Sequence, residues 1–305
     1  MTRISTAQMV SQSIDLITQR QAEIGELQKQ IATGNKLLNP SDDPAAASQV
    51  ERSRSEVARL DVESRMIGFA QLKLAQAESA TGDGIDIFQR SRELLLAANN
   101  DTNSPEDRAM YAQELRGLRD EMFSIANRSD GMGGYIFGGA GTRQEPFVEG
   151  AAGIEFRADA GVQVTGSDQS FMTSVDGRHL FGTSTGLGNE AIFDIMDRAI
   201  DTLEDPGIAN DALHDVVNDT LDSIDEAMNR FSGVRATLGE QMAAAERALE
   251  SIANGEALAS ERIAELGGVD MAEAISALTA KQTEMDAAMQ TYAQISGLSL
   301  FNYIR

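Results

Sequence analysis

Few side chains in this sequence could carry out chemistry. The two histidines, His179 and His214, sit in different regions with no ligand-like spacing around either, and the chain has no Cys, so thiolate chemistry, disulfides and Cys-ligated metals are all excluded. The adjacent carboxylates Asp42 and Asp43 could share acid/base work. Flanked by Pro40 and Pro44, they read instead as caps of a helix that starts at a proline. The run Gly131-Met132-Gly133-Gly134-Tyr135-Ile136-Phe137-Gly138-Gly139-Ala140-Gly141 has neither the G-x-G-x-x-G spacing nor a following Lys-Ser/Thr that would cradle a phosphate. Methionines from Met271 to Met289 could line a promiscuous binding face, but at helical spacing they read as a packing seam. No reaction follows from these residues, so no catalytic residue, cofactor or metal is expected and the chain is read as a non-enzyme.

The elements that would have to position a site point the same way. Over 305 residues the apolar share is 42%, but aromatic residues make up only 5%, Trp is absent and there are five prolines. Apolar residues are mostly Ala, Leu, Ile and Met, which suit helix seams, and long stretches carry no helix breaker. The net charge of −23 argues against nucleic acid as a partner. No apolar run is long enough to span a bilayer, and the first residues lack the apolar core of a cleaved signal peptide.

A first helix is predicted over about 5–33. Val10, Ile14, Ile17, Gln21, Ile24, Gln28 and Ile31 alternate by fours and threes, with Leu27 just off this seam and Gly34 as a left-handed cap. Polar seam residues such as the two glutamines favour register over stability. After the turn Pro40-Ser41-Asp42-Asp43-Pro44, a second helix is predicted to about Ala98, with Val57, Leu60, Met66, Phe69, Leu72 and Leu74 recurring and a looser place at Gly82-Asp83-Gly84. A third starts at Ser104-Pro105-Glu106-Asp107 and runs to about Asn127. Residues 137–187 are read as a small β-rich insertion, with strand-like alternation at Ile154/Phe156 and Val162/Val164. Helix is expected again from Asn189, with Ile192, Ile195, Met196 and Ile200 on one face, then a break at Asp205-Pro206-Gly207. A long helix follows over about 210–266, and after Gly267-Gly268 a last helix runs from Asp270 to about Ser296. On the last helix Met271, Ile275, Leu278, Met285, Met289 and Tyr292 form one stripe with Gln282 in it.

The expected fold is mainly α. Both chain ends form an elongated antiparallel coiled-coil rod, with a small β-rich domain inserted mid-chain. It divides into a terminal assembly domain (1–33 with 271–305), a helical rod domain (34–136 with 188–270) and an outer domain (137–187).

Three segments resemble the flagellin superfamily, and within it the hook–filament junction (third hook-associated protein) family. The first is Met1-Thr2-Arg3-Ile4-Ser5-Thr6 with Asn39-Pro40-Ser41-Asp42-Asp43-Pro44-Ala45. The second is Gly134-Tyr135-Ile136-Phe137-Gly138-Gly139 with Pro146-Phe147. The third is Asp270-Met271-Ala272-Glu273-Ala274 together with the ending Leu298-Ser299-Leu300-Phe301-Asn302-Tyr303-Ile304. The resemblance implies an assembly interface formed by Ile14, Ile17, Ile24, Leu27 and Ile31 of the first helix and Met285, Met289, Tyr292, Ile295, Leu298 and Phe301 of the last. These ends would be unordered until assembly packs them around a central channel. It also implies a homo-oligomer in a ring or helical turn, the first hook-associated protein on one side, flagellin on the other, and an export chaperone on the C-terminal helix. Neither nucleic acid nor membrane is implied as a partner. The location implied is extracellular, on the flagellum, after export through the flagellar type III system without a cleaved signal. The insertion is short for the family, which leaves its role open. Three other readings stay in view: a filament flagellin, a cytoplasmic coiled-coil scaffold, and an enzyme acting on glycans through acidic residues.

Overall fold

The computed structural model describes residues 2–141, 143–150, 153–166, 169–183 and 191–301, and of 2–7, 9, 10 and 295–301 the backbone only. The chain is mainly helical, with short strands confined to its middle: α1 (Thr2–Thr33), α2 (Pro44–Ala98), α3 (Pro105–Ala126), β1 (Phe147–Gly150), β2 (Gly153–Phe156), β3 (Val164–Thr165), β4 (Phe171–Met172), α4 (Gly177–Phe181), α5 (Ile192–Glu204), α6 (Asn210–Gly267) and α7 (Met271–Phe301). It forms two compact units, Met1–Leu60 with Ala253–Arg305, and Asp61–Ile252.

Local chemistry sets the helix ends. Gly34, at φ +70°, terminates α1 in the conformation that glycine adopts without a Cβ penalty. The two aspartates of the next turn divide the work. Asp42 Oδ2 accepts the N–H groups of Leu38 and Asn39 and closes the turn, while Asp43 Oδ1 accepts those of Ala45 and Ala46 and caps α2, whose first residue is Pro44. At α3, Ser104 and Asp107 form a reciprocal capping box. Asp205 Oδ1 accepts from Gly207 N–H in the turn after α5.

In the unit Asp61–Ile252, the seam of α2 repeats every seven residues in two rows. One row is Ile67, Leu74, Thr81, Phe88 and Leu95; the other is Ala70, Ala77, Gly84, Ser91 and Ala98, and all are buried. The second row is made of small residues. The large apolar residues Phe69 and Leu72, which the periodicity placed on the seam, are exposed. The expected looseness at Gly82-Asp83-Gly84 is also absent, because α2 continues unbroken through it. Gly84 is there for contact: a Cβ on it would lie 2.5 Å from the Phe231 ring of α6. On α6 the buried row Val217, Ile224, Phe231, Leu238, Ala245 and Ile252 again repeats every seven. Helices α3 and α5 pack on each other, and Ile192, Ile195, Met196 and Ile200 are all buried.

The middle of the chain holds two small antiparallel ribbons. β1 pairs with β2 (Phe147 opposite Phe156) and β3 with β4 (Val164 opposite Met172). Ile154 is buried, as its alternation predicts. Val162 lies outside any strand, and both it and Val164 are exposed, because β3 is only two residues long. A short helix that the periodicity did not predict, α4, supplies Phe181. Its ring meets Phe137, Phe147 and Phe231 edge-on at 5.2 Å and stacks on Phe193 at 5.9 Å, all fully buried. One aromatic cluster thus joins the strand-bearing segment to α5 and α6. The expected start of a helix at Asn189 lies outside the described residues.

Candidate assembly interface

Helices α1 and α7 belong to the same unit and pack against each other antiparallel. Their junction is fixed by backbone bonds: Lys36 N–H donates to Gly267 O at 2.7 Å, Val269 N–H to Gly34 O at 3.0 Å, and Asn35 bridges Gly268. Asp270 caps α7 through the N–H groups of Ala272 and Glu273.

Along α1 the half-buried positions Ser13, Ile17, Arg20, Ile24, Leu27 and Ile31 again alternate by fours and threes, with Glu23, Gly25 and Gln30 half-buried beside them. On α7 they are Leu278, Lys281, Met285, Ala288 and Tyr292, with Ala277 beside them and Ala274 buried at the head of the row. The structure therefore brings Ile17, Ile24, Leu27 and Ile31 together with Met285 and Tyr292. It leaves Ile14 (46% exposed), Met271 (45%), Ile275 (51%) and Met289 (46%) on a second, open stripe. Gln21, Gln28 and Gln282 are exposed with that second stripe rather than in the seam. The side chains of Val10, Ile295, Leu298 and Phe301 lie outside the described residues.

Four charged residues lie along the middle of the seam, Glu284 at its exposed edge, and the apolar pattern did not single them out. Arg20 pairs with Glu284, and Lys281 Nζ lies 2.9 Å from Glu23 and 3.6 Å from Glu284. The hydrogen bond from Lys281, followed by its charge, holds the Glu23 carboxyl below the usual carboxylate range. The signal that could have revealed them is opposite charge at i and i+3, in the same order on both helices. Each terminal helix provides the other with the seam partner that it lacks alone.

The turn at Pro40, Ser41, Asp42, Asp43 and Pro44 is exposed. Pro40 and Pro44, with Leu37, Leu38, Val50 and Gly267, line an open apolar cleft of 390 Å³ in the same unit.

The remaining polar clusters explain structure rather than chemistry. His214 contacts Asn99 Oδ1 through Nδ1 and Asp101 Oδ1 through Nε2 at 2.9 Å, tying the start of α6 to the α2–α3 turn. Lys73 is buried and meets Asp130 at 2.6 Å, while Asp130 Oδ1 accepts the N–H groups of Met132 and Gly134, so this pair holds the glycine-rich loop in place. Burial pushes the Asp130 carboxyl up, but Lys73 and the two N–H donors outweigh it and leave it below its ordinary range. Arg119 forms a bidentate pair with Asp197 (3.0 Å twice) and lies against the rings of Phe123 and Phe193. Residues 182–186 carry Gly-x-Ser-x-Gly spacing, but they follow helix α4 rather than a strand, so the strand–turn–helix setting of a nucleophile elbow is not met, and Ser184 lies outside the described residues. No group of three or more His, Cys, Asp or Glu among the described residues could hold a metal, and none of the described helices is long and apolar enough to cross a membrane.

Paired terminal helices around a mid-chain insertion define a class, and comparison with known proteins agrees. Residues 4–142 match the bacterial flagellin N-terminal helical region and residues 221–304 the bacterial flagellin C-terminal helical region, so the chain belongs to the flagellin family. Within that family the end-to-end match is to flagellar hook-associated protein 3. The protein of that name from Salmonella typhimurium is 31% identical over 99% of this chain and 100% of its own length. Flagellin A of Vibrio anguillarum, by contrast, is 30% identical over only 39% of this chain and 31% of its own length. The fold is shared with the flagellar junction protein FlgL from Legionella pneumophila, at a TM-score of 0.59 and 15% identity, covering 72% of this chain and all of that one.

Proposed function

We propose that this chain is a structural adaptor of the bacterial flagellum that joins the hook-associated ring to the flagellin filament through packing of its terminal helices. The observation that carries this reading is the contrast in coverage: the hook-associated protein 3 relative aligns over its whole length, the flagellin over about a third. The open stripe of Ile14, Met271, Ile275 and Met289 supports it physically. Helices already paired with each other still present apolar side chains at seven-residue and related spacings, as a second seam would require. On this reading Ile17, Ile24, Leu27, Ile31, Met285 and Tyr292 hold the chain's own ends together, and the open stripe with Ile295, Leu298 and Phe301 meets other subunits. The cleft behind Pro40 and Pro44 is a further place for a neighbour's apolar side chain.

The partners are then further copies in a ring or helical turn, the first hook-associated protein on the hook side and flagellin on the filament side. Before export, a chaperone covers the apolar stripe of α7. The route outside is the flagellum's own type III exporter, with no cleaved signal.

The test is deletion of the gene, with immunolabelling of the protein on isolated flagella. Hooks without filaments, flagellin lost to the medium, and label confined to a short zone at the base of the filament are expected. Full-length filaments in the deletion strain, or label along the whole filament, would overturn the adaptor reading, the latter in favour of a filament flagellin.

A further inference from the structure

The four charges in the α1–α7 seam have an order that the assembly reading does not use. Both helices carry a cation followed three positions later by an anion, Arg20 then Glu23 on α1 and Lys281 then Glu284 on α7. Residues three apart lie on one helix face. Two helices with the same charge order satisfy both charges at once only when they run antiparallel, because the first residue of each then meets the second of the other. That crosswise pairing is the one observed, Arg20 with Glu284 and Glu23 with Lys281.

The alternatives fail on the same residues. In a ring or helical turn, neighbouring copies share one orientation, so like helices of adjacent copies run parallel. In-register contact of that kind sets Arg20 against Arg20 and Glu23 against Glu23, or Lys281 against Lys281 and Glu284 against Glu284. Sliding α7 by one heptad brings Glu284 level with Leu27, or in the other sense Lys281 level with Leu16, and breaks both crosswise pairs. Isolated pairs of this exposure contribute little each. Discrimination is larger than either pair alone, because two attractions are exchanged for two repulsions or for charges left against apolar neighbours.

We propose that Arg20, Glu23, Lys281 and Glu284 form a pairing code that selects the antiparallel α1–α7 contact in a single register and rejects parallel contact between like terminal helices of neighbouring copies. The code concerns the chain's own ends and stands whether or not the chain occupies the hook–filament junction. It also separates the two stripes by task, with the charged seam closing each subunit and the open stripe left for its neighbours.

The absence of Cys makes a register test direct in the full chain. Leu27→Cys with Leu278→Cys reports the observed register, and Leu27→Cys with Met285→Cys reports a slip of one heptad. With native charges at low salt, cross-linking of the first pair should dominate. Reversing the α1 charges (Arg20→Glu with Glu23→Lys) should lower that yield at least about threefold, and raising salt to about 1 M, where the Debye length is about 3 Å, should erase the difference. Adding Lys281→Glu and Glu284→Lys restores opposite signs and should restore the yield, which separates the code from simple damage to the helices. An α1-reversed chain that cross-links like the parent at low salt would overturn the proposal, as would failure of the fourfold reversal to recover.

Discussion

Replacing Gly84 by Ala sets two opposing effects against each other, and the structure decides the sign. In a helix interior Ala is favoured over Gly by about 1 kcal/mol. At Gly84 the new methyl would lie 2.5 Å from Cε1 and 3.1 Å from Cδ1 of Phe231, and ordinary contact begins near 3.4 Å. Phe231 cannot yield easily, because it is fully buried, with Phe88 edge-on at 5.0 Å and Phe181 at 5.2 Å. Overpacking of a full core costs about 1–3 kcal/mol, and here the obstacle is a ring rather than a flexible side chain. Gly84→Ala should therefore be net destabilising by about 1–2 kcal/mol once the helix gain is subtracted. Gly68 lies in the same helix and the same unit, is exposed, and would have nothing within 4 Å of an added methyl. Gly68→Ala should stabilise by about 0.5–1 kcal/mol. The assay is urea unfolding of both variants followed by far-ultraviolet circular dichroism, comparing midpoints at unchanged slope. If Gly84→Ala raised the midpoint as Gly68→Ala does, the close approach of α2 and α6 at this level would be refuted.

Two further outcomes follow from the buried groups. Phe181→Ala empties the centre of the aromatic cluster and should cost about 3–5 kcal/mol, loosening the segment 137–181 first; hydrogen exchange of Phe147–Phe156 amides should rise before that of α2. Because the Asp130 carboxyl lies below its ordinary range, its stabilising contribution is complete above its unfolded value, near 4, and is lost as pH falls through the lower folded value. Asp130→Asn should destabilise at neutral pH and flatten the acid limb of a stability–pH curve below about pH 4, and an unchanged limb would show that the Lys73 pair contributes nothing there.

By itself the sequence determined the helical class, the insertion of short strands between helices, the break points and the family. These follow from local causes: prolines at first helical positions, Ser104 and Asp43 as caps, Gly34 at a left-handed turn, and apolar residues spaced by threes and fours. Terminal motifs such as Pro40-Ser41-Asp42-Asp43-Pro44 add a signal independent of packing, and the family matches agree with it.

Which of two overlapping stripes becomes the seam was left to tertiary structure. Ile17, Ile24 and Ile31 repeat every seven and belong equally to a row through Ile14, Gln21 and Gln28 and to one through Ser13, Arg20 and Leu27. A partner decides: against α7 the second row is the half-buried one, and Lys281 and Glu284 stand opposite Arg20 and Glu23. On α2 the same ambiguity hid the seam behind its larger neighbours. Ala70, Ala77 and Gly84 carry too little apolar surface to register as periodic, yet small side chains are what closely packed helices need. Phe181, in a five-residue helix with no periodicity to read, became the centre of a core only when four distant segments closed around it.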